Sequence, residues 1–282
     1  MRFRFGILVP VLIVCGCDSG SPPPVVESAA PAVAPSTQNH PTGGLAGRIV
    51  WPGAVPIVPP VGTLRPTADG STALISRPAP NTPVIGPDGG IAGAVVYLRG
   101  VDPAKARPWD RPPVVVEMHD ARPMLRQGDG PPTNVSFVHV GDEIIVVSRQ
   151  THFHALRARG AAFWTLALPE PDRPRSRRLS ESGVVELSSG AYDFWMRAYL
   201  WVCDHPYYAT TDTAGRWALT GVPAGEYEMV AWLPDWRTAR QERDPETGLV
   251  GRYVFRPPLQ TMWRVAVHDG ESIGVGDVTI SP

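Results

Sequence analysis

From residue 43 onward the chain is written in short runs of β-branched and aromatic residues, each closed by Gly, Pro or Asp. Examples are "LAGRIVWPG", "GIAGAVVYLRG", "PPVVVEMHD", "NVSFVHVGDEIIVVSR", "AAFWTLALPE", "GRYVFRP", "TMWRVAVHDG" and "IGVGDVTIS". A short apolar run followed by a turn signal is the pattern of a strand. No stretch carries a capped apolar repeat at helical spacing, and "WRTARQERDPETG" predicts one short helical turn at most. Many short strands at near-regular spacing predict an all-β fold made of sandwiches. Residues 54–90 are rich in Pro and poor in periodicity, and predict a long loop. The most regular stretch is "TDTAGRWALTGVPAGEYEMVAW". There Gly215 allows a hairpin turn, and Pro223 and Gly225 shape the next. Trp217, Leu219, Tyr227, Met229 and Ala231 alternate as one inward face.

The N-terminus departs from this pattern. Arg2 and Arg4 precede an apolar run from Phe5 to Val14, then small residues. That run is too short for a permanent bilayer span and predicts a signal peptide over 1–16. The ending "VCGC" resembles a bacterial lipoprotein cleavage box, with an aliphatic residue three before the Cys and a small residue just before it. The resemblance implies that Cys17 becomes the lipidated first residue of the mature chain, which would anchor it to a membrane in the cell envelope, facing the periplasm or the cell surface. Residues 17–43, mostly Ser, Pro, Ala and Val, predict a disordered tether.

Composition adds little to this picture beyond two exclusions. With 282 residues and a formal charge of −1, the chain can bury a sizeable core but offers no electrostatic case for nucleic acid. Of three cysteines, Cys15 leaves with the signal and Cys17 carries lipid, so Cys203 has no partner for an internal disulfide.

The candidate chemistry lies in two places. In "VHVGDEIIVVSRQTHFHALRA", His152 and His154 are two apart, a spacing that puts both imidazoles on one face of a strand. They could chelate a metal, or be two solvated histidines. In "SSGAYDFWMRAYLWVCDHPYY", a Met, a Cys and a His crowd together. Catalytic motifs are absent: no Gly-rich phosphate loop, no Gly-x-Ser-x-Gly, no paired zinc Cys motif and no His-Glu-x-x-His. "RPRSRR", Arg173 to Arg178, predicts a basic solvated loop.

Four stretches in order, "GRIVWPGAVP", "GPDGGIAGAVVYLRGV", "HVGDEIIVVSRQTHFHALRA" and "WMRAYLWVCDHPYYATTDTAGRWALTGVPAGEYEMVAWL", resemble a family of bacterial envelope proteins. In these a cupredoxin-like domain is joined to a carboxypeptidase-regulatory-like (transthyretin-like, carbohydrate-binding-like) β-sandwich. The resemblance implies two Greek-key sandwiches, with the cupredoxin-like domain over 44–203 and the second over 204–282. Because "GRIVWPG" and "AVVYL" also resemble opening strands of the second type, the two can interleave. The family's copper-competent members place a His where His154 stands and then a Cys-x-x-His-Pro-Trp-Met stretch. Aligned on "WMRAY", that Cys falls at Gly190, that His at Asp193 and that Pro at Phe194, while Met196 is kept. The only thiolate is lost, and with it blue-copper chemistry.

The expectation is therefore a non-catalytic, membrane-anchored envelope protein without a cofactor, binding a glycan or an envelope protein beside a degenerate copper site. Trp236, in the polar run "LPDWRTAR", is the candidate ligand-stacking aromatic. The alternative is a copper or zinc protein, or an electron-transfer cupredoxin, using His152, His154, Asp193 and Met196.

Overall fold

A computed structural model describes residues 42–282 except 67, 68, 70, 120, 121, 191, 192, 194, 247 and 249. The signal peptide, Cys17, the tether up to residue 41 and Phe194 lie outside the described residues. The described residues form twenty-two strands and no helix.

The strands are β1 (Thr42–Val50), β2 (Val61–Pro66), β3 (Thr72–Arg77), β4 (Val84–Ile85), β5 (Ile91–Ala92), β6 (Val95–Arg99), β7 (Val114–His119), β8 (Arg122–Gln127), β9 (Val135–His139), β10 (Glu143–Ser148) and β11 (His154–Gly160). They continue with β12 (Trp164–Leu168), β13 (Arg175–Arg178), β14 (Gly183–Ser189), β15 (Arg197–Cys203), β16 (Tyr208–Thr210), β17 (Arg216–Pro223), β18 (Gly225–Leu233), β19 (Thr238–Arg243), β20 (Val250–Phe255), β21 (Leu259–Val267) and β22 (Ser272–Thr279).

Four sheets carry the structure, in the strand orders β13-β10-β7-β8, β12-β11-β14-β15-β9, β16-β6-β18-β21 and β17-β1-β22. The first two close over one core, in which Val116, Met118, Ile144 and Val146 meet Leu156, Leu187, Ala198 and Leu200. The last two close over another, holding Leu45, Ile49, Leu98, Trp217, Leu219, Tyr227, Met229 and Ala231. The five residues read as one inward face of the "TDTAGRW" hairpins are all in this second core.

A third cluster joins the two sandwiches. Tyr97 of β6, Phe137 of β9, Tyr199, Trp201 and Cys203 of β15, Tyr208 of β16, and Val230 and Trp232 of β18 pack together. Their rings interlock: Tyr97 and Tyr208 stack at 5.1 Å, and Trp201 meets Trp232 edge-on at 5.3 Å. Strands β9 and β15 of the five-stranded sheet and β6 and β18 of the β16-β6-β18-β21 sheet are thus covered on both faces, while β12 and β21 at the sheet edges stay open on one. This explains "RAYLWVC": all seven residues of β15 are buried, with alternate side chains entering different cores. A strand covered on one face alternates apolar and polar, whereas one covered on both is apolar throughout. Burying a large apolar side chain contributes about 1.5–3 kcal/mol, so this junction is a main source of stability.

The chain is interleaved between the sandwiches. β1 pairs with β17 antiparallel and with β22 parallel, and β6 pairs with β16 and β18. Strands from residues 42–50 and 95–99 therefore complete sheets whose other members follow residue 204, and no single cut at 203/204 separates the sheets. At the crossing, Gly90 and Gly215 touch backbone to backbone. A Cβ on Gly90 would sit 2.1 Å from the Ala214 carbonyl oxygen; one on Gly215, whose φ is +78°, would sit 2.3 Å from that of Ile49.

Three local expectations change. The Pro-rich excursion over 54–90 contains the β2–β3 hairpin, whose register runs from Val61↔Arg77 to Pro66↔Thr72. Neither "VGTLRP" nor "TALISR" alternates cleanly between apolar and polar residues, so the hairpin is defined by its cross-strand pairing and not by a period-two signal. "WRTARQERDPETG" is not a helical turn. Thr238–Arg243 pairs antiparallel with Val250–Phe255 as a charged two-stranded ribbon, because the partner strand supplies the backbone hydrogen bonds that a lone turn would lack. In "RPRSRR", Arg175–Arg178 is an edge strand on β10 rather than a loop. Its exposed arginines suit an edge, where charge discourages pairing with other chains.

Candidate functional site

The expected metal-site residues come from two places brought together at one end of the five-stranded sheet. β11 starts at His154, and the segment after β14 carries Asp193 and Met196 towards β15. The β11–β14 register pairs Leu156 with Ser189 and Ala158 with Leu187. Side chains 154, 156 and 158 therefore share the core face with 185, 187 and 189, while 155, 157 and 159 share the outer face with 186, 188 and 190.

This register changes the reading of position 190. Gly190 lies on the outer face, where a Cβ would meet Ala155 Cβ at 3.1 Å and Thr165 Cγ2 at 3.4 Å. A side chain at 190 would point away from His154. The residue on the inner face is Ser189, which the sequence reading passed over. Its hydroxyl accepts the Asp193 backbone N–H at 3.2 Å.

His154 and Asp193 do converge. Both are buried, with Nδ1 of His154 3.8 Å from an Asp193 carboxylate oxygen. The other ring nitrogen, Nε2–H, donates to Oε1 of Gln150 at 2.8 Å. Gln150 is the second residue the sequence reading missed; its place four before His154, on the turn entering β11, was the available signal. His152 precedes the strand and is exposed, yet its ring lies 4.3 Å from that of His154, centroid to centroid. Met196 donates its backbone N–H to the Asp193 carbonyl at 2.9 Å and is itself 1% exposed within the apolar core.

Cys203 cannot complete this set. It belongs to the junction cluster on the opposite face of β15 from the sandwich core. Burial pushes its thiol well above the usual range, which opposes the thiolate a soft metal needs. A blue-copper centre requires two imidazoles and a thiolate. The residues here, an imidazole committed to an amide on one side and facing a carboxylate on the other, do not fit one. Among the described residues no group of three or more His, Cys, Asp and Glu side chains is arranged to hold a metal ion.

Trp236 stands elsewhere. It is half-buried after β18, its ring tilted on Trp51 at 5.5 Å and covered by the Arg237 guanidinium at 5.8 Å. Arg237 is held in place by both carboxylate oxygens of the buried Asp235. Trp236 lines a cleft of about 390 Å³ between the Pro-rich segment (Pro59, Pro60, Pro80) and the ribbon, with Thr238, Gln241, Tyr253 and Phe255 on the ribbon side. Trp195, Trp201 and Trp232, by contrast, are buried in the cores.

No family model and no curated protein matches the chain. Among solved structures it is similar to a methionine-to-alanine variant of amicyanin in its Cu(I) form, 16% identical over 38% of this chain and 98% of that one, with a TM-score of 0.25. It is also similar to amicyanin from Paracoccus versutus (Thiobacillus versutus), 18% identical over 38% of this chain and 97% of that one, with a TM-score of 0.27.

Proposed function

We propose that this chain is a non-catalytic binding module of the cell envelope, anchored through lipid on Cys17, and that the Trp236 cleft holds a glycan. One observation carries the reading: the cleft sets aromatic rings beside exposed polar groups, Thr238 and Gln241, against a wall of proline. Aromatic faces accept the apolar C–H faces of sugar rings, and a few fixed polar groups orient the hydroxyls. Trp236 is also pre-set by Trp51 and Arg237, so little freedom is lost on binding. The copper-position cluster supports a module whose metal chemistry has been replaced by a Gln150–His154–Asp193 polar arrangement.

The test is a glycan array followed by calorimetry on the best hits. Trp236→Ala should weaken binding by about tenfold or more, which corresponds to roughly 1.4 kcal/mol. Thr238→Arg, which crowds the cleft from an exposed position, should do the same without altering the unfolding curve. Full binding in both variants would sink the cleft. Copper or zinc at near one equivalent after chelator-free purification, and lost in His154→Ala, would favour the metal protein instead.

A further inference from the structure

A second groove, of about 250 Å³, lies between the outer face of the five-stranded sheet and the β19–β20 ribbon. Arg157, Arg243 and Arg252 line it, with Glu242 and Asp244. Gly190 and Gly251 also line it and add no side chain, which keeps it open.

Its charges are unequally matched. Arg252 lies 3.3 Å from Glu186 and 3.5 Å from Glu242, and Glu242 is also held by Arg240 at 3.0 Å. Asp244 accepts the Glu246 backbone N–H at 3.1 Å, as a turn cap does. Arg157 and Arg243 meet only neutral acceptors. Arg157 donates to the Thr165 hydroxyl at 3.3 Å. Arg243 donates to Gln241 Oε1 at 2.7 Å and to the Gly248 carbonyl at 2.9 Å. Neither has a carboxylate within ion-pair distance among the described residues.

Two further observations concern the guanidiniums at and beside the groove. Arg159, on the same face of β11 as Arg157, has its pKa held below the usual value by burial and then by the positive charges of Arg252 and Arg157. Nε of Arg252 is buried with no hydrogen-bond partner among the described residues. The half-buried guanidiniums of Arg157 and Arg252 and the exposed one of Arg243 are stabilised by an incoming oxyanion, which their planar forks match in geometry.

We propose that this groove is an oxyanion site that takes a carboxylate or sulfate group pendant on a saccharide. The groove, about 250 Å³, admits a pendant carboxylate or sulfate with part of the sugar that carries it. Because Glu242 and Asp244 also line the groove, a flat, uniformly anionic surface such as a lipid bilayer meets carboxylates as well as arginines, whereas a chain whose anionic groups are spaced apart can address the arginines alone. The choice of a saccharide as carrier rests on the glycan reading above; the arginine groove itself does not. The two sites share the ribbon and meet at Arg243, which lines this groove and donates to Gln241 of the Trp236 cleft.

The test is calorimetric titration of the full chain at fixed ionic strength with four probes: an oligouronate, the same oligosaccharide with its carboxyls reduced, sodium sulfate, and phosphatidylglycerol vesicles. The oligouronate should bind at least about tenfold more tightly than the reduced form. The double variant Arg157→Met, Arg243→Met should erase that difference, and Arg157→Lys, which keeps the charge but not the fork, should erase part of it. An acid preference surviving in the double variant overturns the site. Sulfate alone binding as tightly as the oligouronate, or vesicles binding through the same arginines while the oligouronate does not, overturns the saccharide carrier. Trp236-dependent binding with no acid preference sinks this inference and spares the cleft. An arginine-dependent acid preference untouched by Trp236→Ala spares this site and sinks the cleft.

Discussion

His205 shows how a single side chain is governed by its surroundings. Its ring is buried against Tyr208, stacked at 4.9 Å, and its Nδ1 accepts the Tyr207 backbone N–H at 3.2 Å. Burial lowers its pKa, while Asp204, 3.8 Å away, pulls in the opposite direction. The folded protein therefore takes up this proton less readily than the unfolded chain does. Where the unfolded state binds more protons, stability rises with pH. The contribution of His205 is thus present above the unfolded pKa, about 6.5, and is lost as pH falls below it and through the lower folded pKa. Urea unfolding should become easier between pH 7 and pH 5.5, and His205→Gln should flatten the dependence. An identical slope in that variant would refute the assignment. Position 190 shows the same dependence on context. A sequence alignment put it among copper ligands, yet an offset of one residue in a strand moves a side chain to the other face, and Ser189 is the residue that faces inward.

Among the elements, the connection between β16 and β17 is under the tightest constraint. Asp212 caps it, accepting the Ala214 and Arg216 N–H groups at 2.9 and 2.8 Å, and Gly215 then turns with φ +78° directly against Gly90. An Ala at 215 would meet three backbone atoms, Ile49 O, Gly90 Cα and Ile91 N, each within 2.9 Å. Backbone atoms cannot step aside as a flexible side chain can. Gly215→Ala should cost roughly 2–6 kcal/mol, the sum of left-handed strain and overpacking. Chemical denaturation measures it directly, and a loss below about 0.5 kcal/mol would show that the turn can relax.

For the whole molecule, the interleaving decides what can fold. β17 pairs with β1, and β18 lies between β6 and β21, so the strands after residue 204 lack two neighbours when expressed alone. They would also expose Tyr208, Val230 and Trp232 of the junction cluster. A fragment of residues 204–282 should therefore show no cooperative unfolding transition, by circular dichroism or by amide dispersion in NMR. Adding a separate peptide spanning residues 42–99 should restore structure. A well-folded isolated fragment would refute the shared-core account.

The short apolar runs, the turn residues and the inward face of Trp217, Leu219, Tyr227, Met229 and Ala231 were legible from the chain, because strand periodicity and turn chemistry are local. So was the absence of any cysteine between His152 and Met196. Which runs are buried on both faces, and which partner pairs with β1, depend on contacts between residues far apart in sequence. The same holds for the sites. Trp236 was legible as an aromatic in a polar run, but its cleft exists only because the Pro-rich segment and the ribbon close around it. Gln150 and Ser189 beside His154 and Asp193, and the arginines around Gly190, were assigned by strand register alone. Composition and local pattern determined that this protein is built of strands; pairing across long stretches of chain, which no local signal encodes, decided which side chains meet.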